Sequence, residues 1–319
     1  MTLSTNSNTK LTNVSSESIL VNSKGKKENS VKLHLTEKRR RLLIIQNVRN
    51  ILIKKIINFD NSSTLETYKL LLRKSLHFGH PIIQCNSGMK KYVRGQSNGK
   101  HLINLFRTRR YIRKALWYLI KYSYKRKNIL FIGTAVPSAR YVATTALKTK
   151  SFFVNFRWLG GMLNNWKTLR KLLQKLKTLQ TEQKNKDWRN LPKKEAISRL
   201  KEKKRLEKYL KGIQMIKGFP EVVIMTSQTK DLSAALECKK MGIWNLSILD
   251  TNCDPRFADL MIPANDDSAS SLKFLLFNFA KAIQAGKALF ILKKKLKTKL
   301  NKNKPKFSNM NYKTNRRKS

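Results

Sequence analysis

Two aspartates are the first residues of this chain whose types and spacing could support chemistry. Asp250 follows an apolar segment, and Asp254 lies four residues later in the stretch LDTNCDP. Paired carboxylates at a strand end can bind magnesium or act as general acid and base. The same residues are also typical of a tight turn, where their side chains bond to the local backbone. Because no nearby His or Lys completes a catalytic set, the sequence favours the turn.

A second set that could do chemistry is His77, His80 and Cys85. Imidazole and thiolate are metal ligands, but three ligands of mixed type without a fourth nearby make a weak metal motif. Isolated His and Cys residues are more often packed inside a protein. We therefore expect a structural role for these residues and no metal.

The stretch GTAVPSAR, residues 133–140, lies where a nucleotide-binding turn would be found. It has one glycine where the dinucleotide fingerprint needs three, and it lacks the Gly-Lys-Ser/Thr of a P-loop. Without those glycines the backbone cannot approach a pyrophosphate closely. The sequence predicts no catalytic residues and no cofactor.

The charge of the chain points to a polyanionic partner. Its 319 residues include 69 Lys and Arg against 18 Asp and Glu, a formal net charge of +51. Such a charge would make a folded monomer repel itself unless a polyanion neutralised it. Nucleic acid is the first expectation and an anionic membrane surface the second. Hydrophobic residues make up 40% of the chain, which is normal for a globular core.

Cysteine usage and targeting signals indicate the cellular compartment of the protein. Three widely spaced cysteines without a Cys-x-x-Cys pair fit a reducing compartment. The N-terminus has no apolar core of a secretory signal, and the most apolar segment, 272–292, is interrupted by lysines, so we expect no membrane span. Abundant Lys, Asn and Ile suggest an A·T-rich organellar genome.

Alternating apolar runs and helical patterns predict the fold. Strands are expected at 101–105, 128–134, 151–156, 221–226, 243–249 and 258–263, and helices at 106–124, 137–148, 230–241 and after residue 267. Helix 106–124 places Ile112, Leu116, Leu119 and Ile120 on its buried side. Unbroken apolar strands separated by helices imply an α/β fold, with a parallel sheet covered on both faces.

Residues 164–211 are predicted to form an inserted helical hairpin. Trp166, Leu169, Leu173 and Leu176 follow helical spacing, and a second run extends from 196 to 213. Two helices joined by a short turn must pack antiparallel.

The two termini lie outside the predicted α/β body. Residues 1–36 look disordered, 37–59 is predicted to form a basic amphipathic helix, and a basic tail starts at Lys293. Helix 37–59 could lie on a membrane, although docking on the protein's own body or on a neighbour is favoured.

The junction between strand 151–156 and the hairpin is the most unusual segment. Gly160 and Gly161 are expected to allow positive φ and a sharp turn. Trp158 and Trp166 flank that turn, and we expect both to pack while their indole N–H groups reach polar partners. Six exposed polar residues at the base of the hairpin are predicted to contact RNA phosphate and ribose. This hairpin-base group comprises Arg157, Asn164, Asn165, Lys167, Arg170 and Lys171.

A second basic group surrounds the first predicted strand. This first-strand group comprises Lys90, Lys91, Arg94, Arg107, Arg109 and Arg110. Each alone could be an ordinary solvated residue. Together they are a second candidate RNA-contacting surface.

Several segments, in this order, resemble one family, the S2 proteins of the small ribosomal subunit in their bacterial and organellar form. They are HFGH (77–80), NGKHLINL (98–105), ILFIGT (129–134), FFVNFRWLGGMLNNWKT (152–168), LEKYLKGI (206–213), LDTNCDP (249–255) and IPANDD (262–267). The resemblance covers about residues 68–285. Its motifs are most similar to those of plastid-encoded members.

The resemblance implies a flavodoxin-like α/β domain (67–163 and 212–291) with a protruding coiled-coil hairpin (164–211), an N-terminal extension (1–66) and a C-terminal tail (292–319). It implies a structural, non-enzymatic component of the chloroplast small subunit, bound to rRNA between head and body near the mRNA exit side. Its partners would be rRNA and neighbouring small-subunit proteins, with no membrane and no homo-oligomer. A mitochondrial location, a nucleotide-dependent enzyme acting on a polyanion, and a membrane-surface protein using helix 37–59 are the alternatives.

Overall fold

The computed structural model describes residues 64–185, 188, 191–216 and 218–302, together with Leu43 and Asn47. Residues up to 290 in this range belong to one compact unit, and Leu43, Asn47 and 291–302 belong to another. Leu43 and Asn47 are helical and exposed, and the rest of the predicted helix 37–59 lies outside the described residues. The predicted domain boundaries stay predictions.

Five parallel strands form the central sheet. They are β4 (Ile129–Ile132), β5 (Phe152–Val154), β6 (Val222–Met225), β7 (Trp244–Leu249) and β8 (Leu260–Pro263), in the order β5-β4-β6-β7-β8. All four residues of β4, β6 and β8 are buried, as expected for strands covered on both faces. This order is that of the flavodoxin-like fold. The predicted α/β fold class is confirmed.

Alternate residues of each strand enter two separate cores, because successive side chains point to opposite faces of a sheet. Ile129 and Phe131 pack with helices α2 (Leu105–Tyr124), α3 (Val136–Thr149) and α7 (Ala269–Lys302). Leu130 and Ile132 pack on the other face with α6 (Leu232–Lys240) and the base of the hairpin. The four residues predicted on the buried side of α2 are buried.

The inserted hairpin consists of α4 (Trp166–Asn185) and α5 (Lys193–Leu210). Leu169, Leu173, Leu176 and Leu179 are its buried residues on α4, whereas Leu210 is the single buried residue of α5. Polar contacts join the two helices along their length: Lys175 pairs with Glu202, Gln180 with Glu207, and Arg199 with Glu182. Leu172 lies with Leu206 and Tyr209 near the base of the hairpin and Glu182 pairs with Arg199 near its tip, so the helices run antiparallel, as the sequence predicted.

A three-stranded antiparallel sheet precedes the parallel one. It contains β1 (Phe78–Pro81), β2 (Val93–Ser97) and β3 (Lys100–Ile103) in the order β1-β3-β2, and follows helix α1 (Thr64–Arg73). The strand predicted at 101–105 therefore does not belong to the parallel sheet. Asn98 and Gly99, with φ of 49° and 73°, form a tight hairpin turn that pairs β3 with β2. Leu105 instead begins α2, which the Asn104 side chain caps.

Helix α7 is longer than the sequence predicted. It continues beyond residue 292, where a tail was expected, to Lys302. Lys and Leu favour helix, and neither Gly nor Pro interrupts the chain between residues 287 and 304. Its segment Ala269–Lys295 is also long and apolar enough to span a membrane. Within this protein, however, Leu272, Leu276, Phe279 and Ile283 of that segment are buried in the core.

Candidate nucleic-acid interface

The turn between β5 and the hairpin is fixed by one buried carboxylate. Glu237 of α6 accepts hydrogen bonds from the indole Nε1 of Trp158 (3.0 Å), from the backbone N of Gly161 (2.8 Å) and from that of Leu163 (2.9 Å). Glu237 is buried, and so are Trp158 and Leu163. The turn is therefore held to the body of the protein by three charge-assisted bonds.

The two glycines of this turn differ in backbone conformation and in the space around them. Gly161 has a φ of +83°, and a Cβ there would lie 3.3 Å from the Asn165 side-chain nitrogen. Gly160 is not among the residues with positive φ, and nothing lies within 4 Å of where its Cβ would be. The expectation of positive φ thus fits Gly161 and is wrong for Gly160.

Both tryptophans lie against the core on this face of the sheet. Trp158 belongs to the buried cluster, and Trp166 is half-buried against it, with its ring 5.1 Å from that of Phe219 in an edge-to-face contact. Their packing leaves the polar residues around them to face solvent.

All six residues of the hairpin-base group are exposed. Arg157 precedes the turn, Asn164 and Asn165 end it, and Lys167, Arg170 and Lys171 lie on the first two turns of α4. Arg157 also lines a groove of about 370 Å³ between the turn and α5, together with Arg205 and Tyr209. Cations and amide donors are thus gathered on elements that the buried Glu237 bonds hold in place.

The first-strand group lies on the 3₁₀ helix Ser87–Tyr92 before β2, on β2, and on the first turns of α2. Lys91 and Arg107 both approach the ring of the buried Tyr92, at 5.2 and 5.6 Å from its centroid, so one aromatic ring orients two cations. Arg94 donates to the hydroxyl of Tyr68 at 2.7 Å. All members are exposed except Arg109, which is half-buried and whose pKa is lowered by burial and by Arg113.

The two groups occupy different elements but the same end of the parallel sheet. The hairpin-base group follows the carboxyl end of β5. The small sheet that carries part of the first-strand group docks at the carboxyl end of β7, where the backbone N of His80 donates to Thr251 Oγ1 at 2.9 Å. Both candidate RNA surfaces therefore lie where the parallel strands end.

The turn after β4 is not arranged for a nucleotide. The backbone N and the hydroxyl of Thr134 donate to the buried carboxylate of Asp231, at 3.3 and 2.8 Å. A phosphate would meet that carboxylate instead of free N–H groups. At Gly133 a Cβ would lie 2.4 Å from Thr226 Oγ1, so side chains already fill the space beside the turn.

Of the two aspartates in LDTNCDP, Asp254 has the predicted turn chemistry. Its Oδ1 accepts from the backbone N of Arg256 at 2.9 Å, and its Oδ2 lies 2.7 Å from the Arg256 guanidinium. Hydrogen bonds from Arg256 lower the pKa of Asp254. Asp250 also bonds to the local backbone, because its Oδ1 accepts from the backbone N of Thr251, but Asp250 is buried and its Oδ2 faces His80.

Sequence reasoning missed Glu237, which orients the candidate RNA surface from 76 residues away. A single acidic residue in the helical stretch LSAALECKK carries no local signal for this role. The one hint was chemical, since a buried indole N–H and a tight turn both require acceptors.

The family model for ribosomal protein S2 matches residues 71–286 of the chain. The chain belongs to the ribosomal protein S2 family.

Relatives of the S2 family match over most of the chain. A protein of Stigeoclonium helveticum named small ribosomal subunit protein uS2c is 82% identical over 307 residues, which cover 95% of both chains. The uS2c of Chlorella vulgaris is 42% identical over 216 residues, covering 68% of this chain and 81% of its own. The uS2 of Picosynechococcus sp. is 39% identical over 217 residues, covering 68% and 85%.

These matches confirm the plastid-type S2 membership that the sequence motifs predicted. A ribosomal protein of this family has a structural role, so the expectation of a non-enzyme is also confirmed. The S2 match ends at residue 286, whereas the Stigeoclonium match covers nearly the whole chain. The extensions are therefore shared with at least one close relative.

Proposed function

We propose that this S2 protein is a structural constituent of the chloroplast small ribosomal subunit, and that the hairpin-base and first-strand groups are its rRNA contacts. The observation that carries the proposal is the hairpin-base group itself. Six exposed cationic and amide side chains surround a turn that the buried Glu237 fixes through three hydrogen bonds. The names of the uS2c relatives support the assignment to the small subunit.

The chemistry of the groups suits recognition of RNA shape. Arg and Lys neutralise phosphates, and Asn164 and Asn165 can donate and accept at ribose hydroxyls. A-form RNA hides its base edges in a deep, narrow groove, so a rigid cationic surface contacts backbone and 2′-hydroxyl groups. We expect affinity that depends strongly on salt and weakly on sequence.

The position between head and body near the mRNA exit side, and the contacts with neighbouring small-subunit proteins, follow from the S2 resemblance. A membrane partner is not part of the proposal, because Leu272, Leu276, Phe279 and Ile283 of α7 are buried in the core. A homo-oligomer is not part of it either.

Sedimentation of a native organelle lysate at moderate salt tests the proposal. Immunodetection of this chain should follow the small subunit through the gradient and move to light fractions after ribonuclease treatment. A light peak that nuclease does not change would overturn the ribosomal assignment. Flotation with anionic vesicles that survives nuclease would instead identify a membrane-surface protein.

A further inference from the structure

Four titratable side chains from distant parts of the chain meet at the carboxyl end of the parallel sheet. His80 lies in β1, Asp250 directly follows β7, and Asp266 and Asp267 follow β8. Nδ1 of His80 is 3.0 Å from Oδ2 of Asp250, and its Nε2 is 3.3 Å from Oδ2 of Asp267. One ligand atom each from His80, Asp250 and Asp266 lies within 4.8 Å of the others.

Asp266 gives an independent sign that this cluster is incomplete without a ligand. Its side chain is 3% exposed, and its Oδ1 is buried with no hydrogen-bond partner among the described residues. A buried carboxylate oxygen without a donor is costly, and a bound cation would stabilise it directly.

The donor set defines the class of cation. One imidazole nitrogen with two carboxylate oxygens suits zinc and related transition-metal ions, whereas magnesium prefers oxygen ligands alone. Tetrahedral zinc with ligands at about 2.0–2.1 Å holds its ligand atoms about 3.3 Å apart. The 3.0 Å between His80 Nδ1 and Asp250 Oδ2 is close to that spacing.

The second ring nitrogen of His80 has the partner that a metal-bound histidine requires. Metal-ligating histidines donate their other ring N–H to a carboxylate or carbonyl, which fixes the ring orientation. Nδ1 of His80 faces Asp250, and its Nε2 faces Asp267, which is largely exposed. Asp267 is thus a positioning residue rather than a ligand.

We propose that His80, Asp250 and Asp266 bind a divalent transition-metal ion of the zinc type, with Asp267 orienting the imidazole. The ion would link β1 to the carboxyl ends of β7 and β8, and so fasten the small antiparallel sheet to the parallel one. This replaces the expectation that His80 is simply packed. Neither His77 nor Cys85 belongs to the group.

Zinc titration of the full chain tests the proposal. The protein is stripped with a chelator, kept in high-salt buffer, and titrated with Zn²⁺ against a chelating dye. We expect one Zn²⁺ per wild-type chain, unchanged binding in the matched control His77→Ala, and at least a 100-fold rise in Kd for His80→Ala and Asp266→Asn. Failure of the wild type to bind one equivalent, or equal loss in His77→Ala, would overturn the proposal.

Two further measurements separate metal binding from folding. Asp267→Asn changes an exposed side chain, so the core should be unaffected while Kd rises by roughly 10–100-fold, the usual effect of losing an outer partner of a ligating histidine. Unchanged affinity in this variant would refute the positioning role. X-ray absorption of the bound zinc should show only nitrogen and oxygen neighbours, and a sulfur neighbour would assign the ion to a cysteine and overturn the site.

Discussion

The indole of Trp158 and the carboxylate of Glu237 are joined by a 3.0 Å hydrogen bond inside the protein. Trp158 stands at the exit of β5 and Glu237 on α6, so this bond connects the candidate RNA surface to the opposite half of the chain. The same carboxylate accepts from two backbone N–H groups of the turn. One side chain thus holds the turn around which the hairpin-base group lies.

Replacing Glu237 by Ala should destabilise the protein by at least about 2 kcal/mol. The buried donors of Trp158 and Leu163 and the partly buried backbone N of Gly161 would lose their acceptor, and each buried unsatisfied group costs about 1–3 kcal/mol before the structure relaxes. Urea unfolding of the full chain measures the change, with the exposed Glu221→Ala as the control. Equal midpoints for the two variants would show that the Glu237 bonds contribute nothing to stability.

Gly161→Ala and Gly160→Ala form a matched pair. Alanine at position 161 must adopt a φ of +83° and push against Asn165, which should cost about 1–2 kcal/mol. Alanine at position 160 meets open space at an ordinary φ and should cost less than about 0.5 kcal/mol. Thermal unfolding of both variants provides the comparison, and a larger loss in Gly160→Ala would contradict the assignment.

Arg157→Ala should weaken binding to a small-subunit rRNA fragment without changing sequence preference. Each lost phosphate contact should reduce the slope of log K against log salt by about 0.7–0.9. Arg256→Ala is the control, because Arg256 is equally exposed but is bonded to Asp254 and lies outside both basic groups. A slope that is the same in Arg157→Ala and wild type would remove Arg157 from the contact surface.

The three thiols should differ in reactivity. Burial raises the pKa of Cys238 and of Cys253 to about 12, so neither forms thiolate at pH 8, and both are inaccessible. Cys85 is half-buried and is the reactive candidate, although burial also raises its pKa. Mass spectrometry after iodoacetamide treatment should find one modified cysteine in the native chain, at a rate that rises with pH, and three in denaturant.

Early modification of Cys238 or Cys253 under native conditions would mean that the core around them opens locally. Cys85→Ser should then remove all fast labelling if the assignment is right.

Local patterns were sufficient to predict the parallel sheet and the hairpin. Strands such as 129–132 and 222–225 are unbroken apolar runs because both faces of the sheet are covered, and α4 shows its buried leucines at helical spacing. Burial and periodicity are properties of neighbouring residues, so the sequence expresses them directly.

Contacts between distant segments could not be predicted in the same way. Strand β3 looked like the first parallel strand. Its hairpin with β2 has a local signal in Asn98 and Gly99, but its pairing with β1 has none. His80 and Asp250 were each noticed, but 170 residues separate them and strand order alone brings them together. Glu237 had no local signal, since its partners lie in the turn at residues 158–163.

The long sequence separation between the turn and Glu237 also has a consequence for synthesis. Residues 157–171 leave the translating ribosome well before Glu237 is added, so the nascent turn lacks its buried acceptor. Strand β6 and helix α6 must fold before those three hydrogen bonds can form. The turn that carries the hairpin-base group therefore acquires its final geometry late, when most of the chain has been made.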